Sequence, residues 1–308
     1  MVPPAIIDSL IYGCIFSLMS LGLTLSYMTS RVPNFAHGSF ITLGAYVAYL
    51  GFRLQKQSPY AIAPLSFVIG GACGLMMYLL LLRPLIKRGA NTITCMVATI
   101  AVGVAFTGFF GALADYIAEA YKFPDARYFL LAQADFSAIG LRGIAIIAPV
   151  VLIASTFLLY LFLSKTRFGI SIRASVQNPS LAQLIGVNTT LVYSVAWFLA
   201  GGFGALAGNL FILRLPGSPT IGTDFTIAFF AASLLGSLSS IYGAILGGMI
   251  VGVGEILGST YISQVVGIWF STYSPAIPMV IMVIGLVFVP EGLASLNWKF
   301  FRRRKNMT

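Results

Sequence analysis

The sequence predicts an all-α membrane protein, a polytopic transmembrane helical bundle of about eight to ten spans. Three observations predict it. Of 308 residues, 58% are hydrophobic and only 8% are charged, far below the quarter or so typical of soluble domains, and the mean hydropathy is +0.95. Apolar runs long enough to cross a bilayer recur along the whole chain, about 20 residues being sufficient for a helix. No hydrophilic stretch between them is long enough to fold around a core of its own. Residues 1–308 therefore read as one membrane domain, although the length alone would allow about two soluble ones.

Taken in order, the apolar runs place spans near Ala5–Tyr27, Gly38–Gly51, Ile62–Leu82, Thr92–Leu113, Gly143–Leu163, Leu191–Leu213, Phe225–Leu238, Gly243–Leu257 and Ala276–Val289. The first run lacks the basic leader and small-residue cleavage site of a signal peptide, so it reads as a retained span. Lys and Arg set the orientation. Arg31, Arg83, Lys87, Arg88, Lys165, Arg167, Arg173, Lys299, Arg302, Arg303, Arg304 and Lys305 fall on one side, twelve of the 18 basic residues. Arg53, Lys56, Lys122, Arg127, Arg142 and Arg214 fall on the other. The richer side is cytoplasmic by the positive-inside rule, which puts the C-terminus inside and the N-terminus outside. If His37–Gly51 is re-entrant, only the N-terminus changes side. The run at 299–305 (KFFRRRK) reads as an anchor at the anionic inner leaflet.

The longest outward connection, Ala114–Arg142, carries Asp115, Glu119, Lys122, Asp125, Arg127 and Asp135 among aromatics. It reads either as a solvated cap or as a docking surface for an external partner. The polar interruption 164–190 is different: it holds Lys165, Arg167 and Arg173 and no acid. Asn178 can cap a helix and Pro179 can occupy its first turn, so two short helices along the membrane surface are expected. Such an elbow suits a membrane subunit that another protein pushes from inside.

Within the elbow, Gly169, Arg173, Ala174, Asn178, Pro179, Ala182 and Gly186 fall in the order G-x-x-x-R-A-x-x-x-N-P-x-x-A-x-x-x-G. This resembles the coupling segment of branched-chain amino acid ABC importer permeases of the LivH type. Asn34-Phe35-Ala36-His37-Gly38 resembles that family's N-F-A-H-G signature after the first span. The run YGAILGG at Tyr242–Gly248, ending at Glu255, and Pro290-Glu291-Gly292-Leu293 add further matches. The ordered set covers nearly the whole chain. The resemblance implies a fold related to the vitamin B12 (type II) importers, a multi-pass protein of the cell inner membrane, and ATPase coupling at the elbow. It also implies three kinds of partner: a second, LivM-like permease, two ATP-binding subunits and an extracytoplasmic binding protein.

The residues themselves narrow the chemistry. No GxxxxGK[ST] motif occurs, so ATP is expected on a partner chain and no cofactor on this one. His37 is the single histidine, which rules out an imidazole pair for zinc or a Ser/His/Asp triad built with a second histidine. It reads as a turn residue hydrogen-bonded to Asn34 or as a participant in transport. Cys14, Cys73 and Cys95 lie singly in apolar runs and suggest neither disulfides nor a metal site. The net charge of +10 comes from short loops, not from a basic face, so nucleic acid is not indicated.

Glu255 is the one acid deep in a span and should face protein or water. Glycines recur at four-residue intervals, as at Gly204 and Gly208 or Gly248 and Gly252, a spacing that lets helices approach closely in lipid; for Gly243–Gly258 a face shared with a second permease is the alternative. The turns Arg31–Phe40 and Arg214–Phe225 each follow a long span and precede a short one, which suggests an inverted repeat flanking the pathway. Asn34, His37, Ser39, Thr42, Ser218, Thr220 and Glu255 are the candidate pathway residues. Branched-chain amino acids are the expected substrates; urea, short amides or another small polar solute on the same scaffold is the alternative. An ion-coupled secondary transporter is a more distant one.

Overall fold

In the computed structural model, residues 4–138 and 140–295 are described. They form α1 (Pro4–Ser30), α2 (His37–Gln55), α3 (Pro59–Met77), α4 (Arg83–Lys87), α5 (Thr92–Ala120), a two-residue hairpin β1 (Ser137–Ala138) and β2 (Leu141–Arg142), α6 (Gly143–Lys165), α7 (Arg167–Gln177), α8 (Pro179–Leu184), α9 (Thr189–Phe211), α10 (Ile221–Asp224), α11 (Thr226–Gly236), α12 (Ile241–Val266) and α13 (Ala276–Phe288). A π-helical turn at Tyr78–Leu82 joins α3 to α4 into one helical stretch. The basic run at 299–305 lies outside the described residues.

Each expected span finds a helix, with two differences. Seven helical stretches are long and apolar enough to cross a membrane, beginning at Pro4, Pro59, Thr92, Gly143, Thr189, Ile241 and Ala276; α2, over the expected span Gly38–Gly51, is not among them. The run Phe225–Leu238, read as a span, yields the 11-residue α11, about 16 Å long and half a bilayer core. Several helices also outrun their apolar cores: α5 continues to Ala120 and α12 to Val266. Asp115 and Glu119 thus sit on a helix rather than in a loop.

Polar contacts label the two ends of the bundle. At one end Arg214 pairs with Asp8 and Arg53 with Asp125; Arg127 grips Asp115 through two hydrogen bonds of 2.6 Å. The connection after α5 is pinned here: Tyr46 donates to the Ala126 carbonyl at 3.1 Å, Tyr60 to Asp135 at 2.6 Å, and Phe129 pairs with Gly217 through two backbone hydrogen bonds. At the other end Arg31 donates to the Val176 carbonyl of α7. α1 therefore begins beside Arg214 and ends beside the elbow, and α2 returns to the first end at Arg53.

The packing repeats itself in mirror fashion. α1 runs along α12 while α9 runs along α3; α2 lies against α9, and α11 against α1 and α12. In each set a long helix leads into an irregular segment, then a shorter helix, then a long one. Close approach rests on glycine. A Cβ on Gly252 would come within 2.7 Å of the Gly13 backbone, and one on Gly74 or Gly70 would overlap backbone carbonyls of α9. The stripe Gly243–Gly258 is likewise used within the chain: Gly243 meets Gly236, Gly247 meets Ala232 and Gly248 meets Ser17. The center of the bundle is filled by fully buried aromatics including Trp197, Tyr46, Phe16, Phe211 and Phe229.

Candidate functional site

The elbow is built by local capping. Thr166 Oγ1 accepts the Gly169 amide at 3.0 Å, starting α7. A side chain at Gly169 would overlap the Phe162 carbonyl, so glycine is what allows α7 to fold back on the end of α6. Asn178 Oδ1 accepts the Leu181 amide at 3.0 Å and Pro179 occupies the first turn of α8, as expected. Gly186, at φ +88°, closes α8 in a conformation that favors glycine. The resulting amphipathic elbow tucks Ile172, Ser175 and Ala182 inward and leaves Ile170, Leu181, Leu184 and Ile185 exposed. Arg173 and Ala174 lie on α7, Arg173 exposed and lining a cavity beside α1 and α6.

The second constellation forms where the irregular segments meet. Pro33–Ala36 is non-helical backbone enclosed by protein. Asn34 Oδ1 accepts the Ala36 amide at 3.1 Å and Thr99 Oγ1 of α5 accepts the Phe35 amide at 3.2 Å, while the Phe35 ring stacks on Phe230 at 4.9 Å. This is how irregular backbone is tolerated inside a membrane bundle.

His37 opens α2 with no exposed surface. Its ring sits between Gly22 of α1 and Gly204 of α9, whose Cβ atoms would lie 2.8 and 3.3 Å from His37 Cε1. Phe40 and Phe229 present their edges to it. The side-chain partner is not Asn34, as the sequence suggested: Nε2 lies 3.0 Å from the Met19 carbonyl, and because a carbonyl only accepts, Nε2 carries the proton. Asn34 contributes its own carbonyl to the His37 amide at 3.2 Å.

Thr42, one turn further, donates to the Gly38 carbonyl and accepts the Gly222 amide at 3.1 Å. The first turns of α2 and the short α10 that precedes α11 are thereby joined. Ser39 is buried beside them. Ser218 and Thr220 lie 3.3 Å apart, and Thr220 donates to Asp224 at 3.0 Å, so these hydroxyls are engaged in their own turn and Thr220 is exposed. Glu255 stands apart, one turn beyond the crossing of Gly252 over Gly13; it is buried and its Oε2 has no hydrogen-bond partner among the described residues. Sequence reading missed Met19, Gly22 and Thr99. Only the four-residue glycine spacing, which included Gly204, pointed toward this crossing.

Residues 5–290 match the family described as branched-chain amino acid transport system / permease component. The chain belongs to that permease family. The permease is 38% identical over 96% of its length, and 93% of the relative's, to the probable branched-chain amino acid transport permease protein LivH of Methanocaldococcus jannaschii. It is 24% identical to the high-affinity branched-chain amino acid transport system permease protein BraD of Pseudomonas aeruginosa, covering 94% of each chain. A shorter likeness, 34% over 40% of the permease and 34% of the relative, links it to the autoinducer 2 import system permease protein LsrC of Salmonella paratyphi B. No solved structure matches the permease. It is a multi-pass membrane protein and a transport subunit rather than an enzyme.

Proposed function

We propose that this chain is the membrane subunit of an ATP-driven importer that moves branched-chain amino acids across the cell inner membrane. The observation that carries the reading is the likeness to a LivH permease along almost the entire chain. In this reading a LivM-like second permease completes the membrane domain, two ATP-binding subunits supply the energy, and an extracytoplasmic binding protein delivers substrate. The mirror packing of α1 with α12 and α9 with α3 supports a relation to the type II importers.

The elbow formed by α7 and α8 is the cytoplasmic docking site for the ATPase, and the C-terminus lies on the same side. Gly169, Asn178, Pro179, Ala182 and Gly186 shape the elbow; Leu181, Leu184 and Ile185 offer it an apolar contact face. ATP-driven rearrangement of the partner would tilt α7 against α1 and α6. The pathway runs beside the two joined turns, where Asn34, His37, Ser39, Thr42, Ser218, Thr220 and, further along, Glu255 supply polar groups that carry no cation.

The likeness to LsrC favors a second reading, in which the same scaffold carries a different small polar solute such as urea or a short amide. Proteoliposomes holding the permease, its ATPases and its binding protein decide between them. ATP-dependent uptake of radiolabeled leucine supports the first reading; uptake of labeled urea but not leucine supports the second. Uptake driven by an ion gradient without ATP overturns both. For the elbow, cysteines placed at Ser180 or Gln183 should crosslink to the ATPase, and crosslinks found only from residues 121–136 would show the orientation to be reversed.

A further inference from the structure

The ends of α1, α6 and α7 and the turn leading into α12 enclose a cavity of about 400 Å³. Its walls are apolar along Leu25, Leu159 and Leu163, and the polar side chains of Gln177 and Ser240 also line it. Among the described residues, Arg173 is the one charged residue in the lining. No acid lies in 164–190, and the ion pairs among the described residues are all made by other arginines. Tyr160 and Tyr242, both exposed, stand at the rim, as amphipathic aromatics do at a membrane–water boundary.

We propose that this cavity seats one anionic phospholipid. Its phosphate pairs with Arg173 and its acyl chains lie along Leu25, Leu159 and Leu163. Basic pockets between membrane helices bind acidic headgroups in this way. The positive end of the α12 dipole, at Ile241, adds to the attraction. Charge argues against the permease's own tail as occupant. The described chain ends at Ser295, beside the turn at 237–243: Gly292 abuts Ser237 and Ala294 abuts Gly243. Residues 296–308 carry Lys299, Arg302, Arg303, Arg304 and Lys305 and no acid. Such a tail repels Arg173, whereas both are drawn to an acidic headgroup. The apolar walls favor a lipid over free phosphate.

The test uses the full-length chain, delipidated in neutral detergent and titrated with phosphatidylglycerol, phosphatidylcholine or inorganic phosphate, with bound lipid counted by native mass spectrometry. Phosphatidylglycerol is expected to bind at one site at least tenfold more tightly than phosphatidylcholine. Arg173→Gln should abolish that preference, Arg173→Lys should restore part of it, and Leu159→Trp, which fills the acyl groove, should weaken both lipids. Equal affinity for the two lipids, an unchanged preference in Arg173→Gln, or displacement of lipid by equimolar inorganic phosphate would each overturn the proposal. The inference rests on the membrane reading alone. Because the readout is lipid affinity of the isolated chain, its failure leaves the transport reading standing, and failure of leucine uptake leaves the lipid site standing.

Discussion

Gly38 and Gly222 meet backbone to backbone, so that a Cβ on either would overlap the carbonyl oxygen of the other. The contact joins the first turn of α2 to α10, and Thr42 bridges the same point by accepting the Gly222 amide. The start of α2 and the short element leading into α11 are thereby locked where they touch.

Alanine at Gly222 therefore has no space that a flexible side chain could vacate. Overpacking of this kind costs about 1–3 kcal/mol, and backbone atoms as neighbors place Gly222→Ala at the upper end. At Gly108 and Gly111 on α5 an added Cβ would meet nothing within 4 Å, and alanine there should be neutral or stabilizing by about 0.5–1 kcal/mol because it favors helix. Melting temperatures of the purified variants in one detergent check the contrast; equal effects at Gly222 and Gly108 would refute the contact.

The seat of His37 predicts a specific coupling. Gly204→Ala brings a methyl 3.3 Å from His37 Cε1 and 3.1 Å from Phe40 Cβ, a mild crowding that should cost about 1 kcal/mol. His37→Ala removes the ring and its bond to Met19, and should cost about 3 kcal/mol or more. Combined, the two should be less damaging than their sum, since the added methyl then enters space the ring has left. Additive losses in a double-mutant cycle would show that the ring does not fill this slot.

Asp125 predicts a pH dependence at the opposite end of the bundle. Burial pushes its carboxyl up, but hydrogen bonds from Arg53 and Tyr49 outweigh it and hold the group below the usual carboxylate range. The unfolded chain then binds the proton more readily than the folded one. The stabilization is fully present above about pH 4, the ordinary aspartate value, and is lost as pH falls through the lower folded value. Asp125→Asn should melt earlier than the parent at pH 7, with the gap closing as pH falls below about 4. A gap that stays constant through that window would exclude the ion pair as its source.

At the elbow, Leu184 is 83% exposed and Ile185 71% exposed, so their replacement costs the fold little. Aspartate at both positions should leave the stability within about 0.5 kcal/mol of the parent yet lower ATP-driven uptake at least tenfold by spoiling the apolar docking face. Full uptake with both substitutions would place ATPase contact elsewhere.

The elbow was legible because its signals are local: a cap at Asn178, a first-turn proline at Pro179 and a closing glycine at Gly186 specify the turn without distant partners. Hydropathy located every long helix but not its ends, since α5 carries Asp115 and Glu119 onward as helix. The same signal took residues 225–238 for a span, because a largely apolar run of eleven residues followed by Ser237–Ser240 looks like a short crossing until Gly222 is seen against Gly38. The partner of His37 could not be read at all. Met19 offers only a backbone carbonyl, and residue type says nothing about which carbonyl of a helix will face a ring eighteen positions away.

The closed state of the joined turns gives the last prediction. Asn34 and His37 have no exposed surface and Ser39 only 5%, whereas Thr220 is exposed on the side of Arg214. If the pathway passes beside these turns, they must part during transport, because no amino acid fits between backbones in contact at Gly38 and Gly222. Single cysteines at Ser39 and Thr220, in a background lacking Cys14, Cys73 and Cys95, separate the states. A membrane-impermeant thiol reagent should label the Thr220 position at rest and the Ser39 position only when ATP, binding protein and substrate are all supplied, at a rate that follows turnover. Labeling at Ser39 that never rises above the resting level under turnover, while uptake proceeds, would make the joined turns a fixed strut and move the pathway to another face of the bundle.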